Sequence, residues 1–204
     1  KKEEIMEKKN QKRWVTCMGI LLTALLFTAP CLAAEFTADM VMNTGGRVMH
    51  GKVFVKGHKF RQEMKAMGQK QIMILDSDKK TGWMVMPDAR MYMPMPQFGM
   101  GNAAQADHKE LEKKATKKYL GKEKINGYKC KKYRFVYKDS SGTKMTQWIS
   151  TKLDYPIKMI IESPQGGMVR ELKNIKETKL SNSLFTLPAG YQKMNIPGMS
   201  GTNQ

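Results

Sequence analysis

The chain has 204 residues, with 36 Lys+Arg against 18 Asp+Glu, a formal net charge of +18, 19 Met and 3 Cys. That length fits one domain, or one domain behind a targeting segment. Charged residues at 26% and hydrophobic residues at 41% exclude a disordered chain, and 3 Cys exclude a disulfide-stapled scaffold and a four-Cys zinc site.

The first element is an address. Residues 14–29 carry no charge; Lys8, Lys9, Lys12 and Arg13 precede them, and Pro30, Ala33 and Ala34 follow. A basic start, a short apolar run and a small-residue exit predict a secretory signal peptide over 1–34 and a mature domain over 35–204 in the periplasm. The run is shorter than the ~20 apolar residues of a membrane span. Met6 is read as the start, with Lys1 to Ile5 as a translated ribosome-binding segment. Cys31 offers a rival reading as the lipid-modified residue of an outer-membrane lipoprotein. Pro30 and Thr28 depart from that motif, so cleavage is preferred. Cleavage removes Cys17 and Cys31 and leaves Cys130, which excludes an intrachain disulfide. Export also turns the basic surface away from nucleic acid and toward anionic envelope lipids, against the plain alternative of solvated lysines.

The mature chain reads as strands in chain order. Phe36 to Asn43 alternates and turns at Gly45-Gly46. Met49 to Lys56 turns at Gly57-His58. Phe60, Gln62 and Met64 share a face. Gln71 to Leu75 is a strand, continuously apolar from Ile72, and ends at Asp76-Ser77-Asp78. Thr81 to Met86 ends at Pro87-Asp88. Met91, Met93 and Met95 alternate with Tyr92, Pro94 and Pro96. Period-two patterning between turn residues is the mark of strands and hairpins. Phe98 to Ala106 is a Gly/Ala-rich loop, and His108 to Lys118 is a helix capped by Asp107. Further strands cover 117–125, closed by the Asn126-Gly127 hairpin turn, then 128–137, 145–150, 157–162 and 168–178. The sum is roughly ten or eleven antiparallel strands with few helices, whose inner face needs a second layer, closure or a ligand.

Several segments carry a resemblance. They are Phe36-Thr37-Ala38-Asp39-Met40, Gly51-Lys52-Val53-Phe54-Val55-Lys56-Gly57, Trp83-Met84-Val85-Met86-Pro87, Asn126-Gly127-Tyr128-Lys129-Cys130, Gln147-Trp148-Ile149 with Tyr155-Pro156, and Ser183 to Tyr191. In order and spacing, over about 36–195, they resemble a Met-rich bacterial domain of unknown function in the LolA-like superfamily of periplasmic lipoprotein carriers. The resemblance implies a mainly β fold: a curved antiparallel half-barrel of roughly ten strands with a short helical lid. It also implies a concave face that takes acyl chains or a lipidated partner. The chain is richer in Met and more basic than the carriers, and no Arg matches their lid-locking Arg.

The site expectations follow. Met is unbranched and polarizable, so it suits a cavity for variable apolar ligands. Phe36, Met40, Val53, Trp83, Met84, Met86, Met91, Met93 and Trp148 would line that cavity; ordinary core filling is the plain alternative. Thioethers also suit Cu(I), which makes Met91, Met93 and Met95 a metal alternative. Their spacing of ~6.5–7 Å along one strand requires a bend to converge them. No nucleophile, zinc-hydrolase or phosphate-loop motif occurs, and Asp76 with Asp78 reads as a turn. Cys130 sits among Lys129, Lys131 and Lys132, a setting able to lower a thiol pKa, but with no nearby His it reads as a half-buried thiol on a strand rather than a nucleophile. The expected protein is therefore no enzyme and takes no cofactor. It binds lipid acyl chains or a lipidated protein, in outer-membrane lipoprotein sorting or envelope maintenance. The remaining alternative is an envelope interaction or sensor module with a filled core.

Overall fold

The computed structural model describes residues 34–66, 68–95 and 108–194. The signal-peptide segment, the Gly/Ala-rich loop and the Asp107 cap lie outside the described residues. Twelve strands form one sheet: β1 (Glu35–Thr44), β2 (Arg47–Lys56), β3 (Lys59–Ala66), β4 (Gln69–Asp76), β5 (Thr81–Met86), β6 (Met91–Pro94), β7 (Ala115–Ile125), β8 (Tyr128–Tyr137), β9 (Lys144–Ser150), β10 (Tyr155–Ser163), β11 (Gly166–Glu177) and β12 (Gln192–Lys193). The helix α1 spans His108–Lys114, and a 3-10 turn spans Asn182–Phe185. This is the mainly β antiparallel fold that the patterning predicts, in the open and curved form that the resemblance implies.

The order is β12-β6-β5-β4-β3-β2-β1-β11-β10-β9-β8-β7. The chain meanders outward from β1 to β6, passes to the opposite edge at β7, and returns by hairpins until β11 pairs with β1. Only β12 runs parallel to its neighbour, β6. Three register shifts bend the sheet, at Thr37/Asp39, Tyr119/Gly121 and Pro156/Lys158, since an extra residue on one strand kinks the ladder. The curl is strong. Asn126, at the β7–β8 turn, donates its side-chain N–H to the Leu172 carbonyl of β11 at 2.7 Å, three strands away. The Tyr128 hydroxyl bonds the Glu177 carboxylate at 3.1 Å in the same region. Asn126 holds φ +46 and Gly127 φ +87, the left-handed pair that a two-residue hairpin turn requires.

Two expectations are corrected. The helix ends at Lys114, not Lys118, and β7 begins at once at Ala115. The Lys138 backbone N–H bonds the Lys114 carbonyl at 2.9 Å, and its ammonium reaches the Lys113 carbonyl at 3.2 Å. These contacts serve the open end of the helix, so the chain turns into the ladder with β8. The strand count is also higher, because β12 is two residues long and too short to show a period.

The register divides the sheet into two faces. Phe36, Ala38 and Met40 of β1 share the inner face with Val53 and Val55 of β2, Phe60 of β3 and Met73 of β4. All are buried, in one cluster with Leu172, Ile157 and Tyr155. A second inner cluster joins Leu111 of α1 to Ala115, Phe135, Met145 and Met159, so α1 lies over that part of the sheet. On the outer face Ile72, Ile74 and Val85 pack against Phe185, with Leu180, Leu184, Leu187 and Tyr191 around them. The C-terminal segment is thus a strap. Lys56 donates to the Leu180 carbonyl at 2.6 Å, and Arg61 to the Leu184 carbonyl at 2.9 Å. This cover explains why Gln71 to Leu75 is apolar at every position after the first: both faces of β4 are buried.

Candidate ligand-binding face

The candidate site is the inner face at β3–β6. Met73 of β4 stands opposite Met84 of β5, which stands opposite Met93 of β6. Met86 stands opposite Met91. Met64 and Met95 extend the same surface. Met64, Met84, Met86, Met91, Met93 and Met95 are half-buried, whereas Phe36, Met40 and Val53 are sealed at 1% exposure or less. Gly51 makes room there, because a Cβ would lie 2.5 Å from the Glu63 carbonyl oxygen and 3.2 Å from the Met40 methyl.

The expected cavity set therefore divides. Phe36, Met40, Val53, Met84, Met86, Met91 and Met93 share the inner face. Trp83 pairs with Ile74 and stands on the outer face under the C-terminal strap. Trp148 is buried between Lys132 and Lys158, whose ammonium groups lie 4.7 and 5.4 Å from its ring. Its indole N–H donates to Glu123 at 2.6 Å. That bond, then the one from Lys132, holds the Glu123 carboxyl below its ordinary pKa. Met91, Met93 and Met95 share a face of the β6 segment, but the directly opposed partners of the first two are Met86 and Met84 across the hairpin.

Sequence reasoning missed a buried polar group on the inner face. Arg170 of β11 is 4% exposed and Gln147 of β9 is fully buried. Both pair with Met159, so the three residues form one row across β9, β10 and β11. Tyr155 lies beside Arg170, and its ring meets Phe36 edge-on at 5.3 Å. Burial pushes the Tyr155 hydroxyl up, and the Arg170 charge opposes that rise. The signal was in the parity: Met168, Arg170 and Leu172 share one face of β11, as Met145 and Gln147 do on β9.

Cys130 is fully buried, and burial pushes its thiol up despite its lysine neighbours. The thiol expected to be half-buried is thus sealed, and desolvation is the largest influence on it. A soluble disulfide reagent should label it only as fast as the protein unfolds. Rapid labelling in native buffer would contradict this.

On the outer face a groove of about 630 Å³ is lined by Lys52, Lys65, Lys70, Lys173, His50 and Glu63, among others. Burial pushes the Glu63 carboxyl up, but hydrogen bonds from Lys70 and Arg61, with their charges, hold it below the ordinary value. Lys70 and Arg61 lie 2.8 and 2.7 Å from it. A lowered carboxylate stabilises the fold above its unfolded pKa, and the gain disappears as pH falls through the lower folded value. E63Q should therefore flatten the acid limb of urea-unfolding stability against pH. An unchanged limb would show that the pair contributes nothing.

The described residues form an open curved sheet with one sealed and one thioether-rich stretch on its inner face, and no group of three or more His, Cys, Asp or Glu among them is placed to hold a metal ion. The chain is a member of the DUF4412 family, a domain of unknown function, whose model matches residues 36–155 and 138–191. No curated protein sequence matches the chain. Among solved structures it is similar to an uncharacterized conserved protein from Thermus thermophilus, at 12% identity and TM-score 0.57, over 80% of this chain and 91% of that one. It is similar to MucB, known also in a MucA/MucB complex from Pseudomonas aeruginosa, at 10% identity and TM-score 0.54; the match covers 79% of this chain but 60% of MucB. A LolA superfamily protein from Nitrosomonas europaea is similar at 13% identity and TM-score 0.40, over 77% of this chain and 91% of that one. At these identities the first two likenesses are of fold.

Proposed function

We propose that this protein is a non-enzymatic binding domain of the bacterial envelope that takes a lipid acyl chain, free or on a lipidated protein, on its inner face. Export with loss of residues 1–34 places the domain in the periplasm, in lipoprotein sorting or envelope maintenance. One observation carries the reading: six half-buried thioethers on one face of β3–β6, Met64, Met84, Met86, Met91, Met93 and Met95. Flexible thioethers give an apolar surface that adapts to ligand shape. The sealed residues Phe36, Met40 and Val53 serve as its floor. On the outer face Lys52, Lys65 and Lys173 have no carboxylate partner among the described residues, which supports contact with anionic lipid head groups. The test is uptake of a neutral fluorescent naphthylamine probe by delipidated protein. Saturable binding displaced by palmitate is expected, and no saturable binding rejects the reading.

The β5–β6 hairpin favours a second reading, Cu(I) binding. Met84, Met86, Met91 and Met93 stand on one side of it as two directly opposed pairs. Opposed residues lie ~4.5–5.5 Å apart at Cα, closer than neighbours along one strand. Val85 and Tyr92 anchor the hairpin from its other side, so four Met→Leu changes should leave the fold intact. In an anaerobic Cu(I) titration against a coloured chelator, M84L/M86L/M91L/M93L should lose binding and M95L should keep it. Equal affinity in the fourfold variant rejects the site.

A further inference from the structure

Arg170 presents a physical anomaly. It is 4% exposed, no carboxylate pairs with it among the described residues, and its Nη2 has no hydrogen-bond partner. The Tyr155 hydroxyl lies close enough to the guanidinium for Arg170 to oppose the rise of its pKa, but no acceptor takes its proton, and Gln147 Oε1 in the same row has no partner. A guanidinium cannot shed its charge in a protein, and a buried charge with no counter-charge beside it is strongly unfavourable. Two further buried groups left unsatisfied beside it add to that cost. Such a cluster is tolerated where a missing component completes it.

The surroundings narrow what that component is. The row lies on the inner face among apolar side chains: Met159 between Gln147 and Arg170, and Leu172 next on the same face of β11. Gln147 Nε2 touches the Met145 and Met159 sulfurs at 3.5 and 3.8 Å. Leu111 of α1 packs on these same methionines. A ligand reaching Arg170 therefore passes apolar, deformable side chains beneath a short helix. It must be mostly apolar and end in an anion.

Resting on the acyl-chain reading above, we propose that Arg170 is the anchor for the carboxylate of a fatty acid, with Tyr155 as a second donor. A carboxylate offers two oxygens to the planar fork of a guanidinium and neutralises it in place, and the Tyr155 hydroxyl has the donor that a remaining lone pair accepts. Met145 and Met159 give way as the chain enters, and α1 is the element that must lift.

The test compares palmitate with its methyl ester, as competitors of the neutral naphthylamine probe on the full mature protein. The acid should compete about tenfold or more better than the ester, since a hydrogen bond to a charged group is worth that factor or more. R170M should bring the acid down to the level of the ester. R170K should lose most of the preference too, because an ammonium lacks the fork. R170M should also raise the urea midpoint of the ligand-free protein, because it removes an unpaired buried charge. Equal competition by acid and ester, with saturable probe binding intact, overturns the anchor and leaves the acyl reading standing. So does an acid preference that survives in R170M. If neither compound displaces the probe, the acyl reading itself falls, and the anchor with it.

Discussion

Phe36→Ala is expected to cost about 3–5 kcal/mol, the range for emptying a fully buried aromatic site. Phe36 has no exposed surface, and it belongs to the main inner cluster with Ala38, Val53, Val55 and Leu172. Its ring meets Tyr155 at 5.3 Å with an interplanar angle of 76°, an edge-on contact that links β1 to β10. The strand carrying it is central, hydrogen-bonded to β2 on one side and β11 on the other. Backbone on both sides limits collapse into the space left behind, which puts the cost at the upper part of that range. Urea unfolding should show a lower midpoint with an unchanged slope. A loss below about 1 kcal/mol would mean that the inner face is looser than its burial implies.

Gly51→Ala should cost about 2–3 kcal/mol through overpacking. The new Cβ would sit 2.5 Å from the Glu63 carbonyl oxygen. That atom belongs to the β2–β3 ladder, where Gly51 opposes Met64 and Lys52 opposes Glu63, so it cannot retreat without breaking register. Gly82→Ala is the control. Its Cβ would sit 2.6 Å from Leu75 Cδ2, the free end of a side chain that can rotate away. The expected order of unfolding midpoints, from highest to lowest, is wild type, then G82A, then G51A. A lower midpoint for G82A than for G51A would show that side-chain crowding, not backbone contact, limits these sites.

Most of the sheet was legible because its signals are local. The Asn126-Gly127 pair, the Gly45-Gly46 turn and the alternation of Phe36, Ala38 and Met40 each state a hairpin or a face within a few residues. The site was legible only in part, because faces are set by pairing between strands. Trp83 and Met84 are neighbours in sequence, yet Trp83 meets the C-terminal strap while Met84 meets Met73 and Met93. Ser183 to Tyr191 carried part of the resemblance, but its packing as a strap was not legible, because Leu180, Leu184, Phe185 and Leu187 follow no strand or helix period long enough to read. No local motif singles out Arg170 in the sequence. Only its parity with Met168 and Leu172, and then its burial, set it apart.

Native mass spectrometry of the protein purified from its own periplasm tests the central claim most directly. The account predicts a polypeptide carrying an adduct with the mass of an acyl lipid, lost on delipidation and restored by palmitate. Bare polypeptide alone, both as purified and after incubation with palmitate, would contradict it.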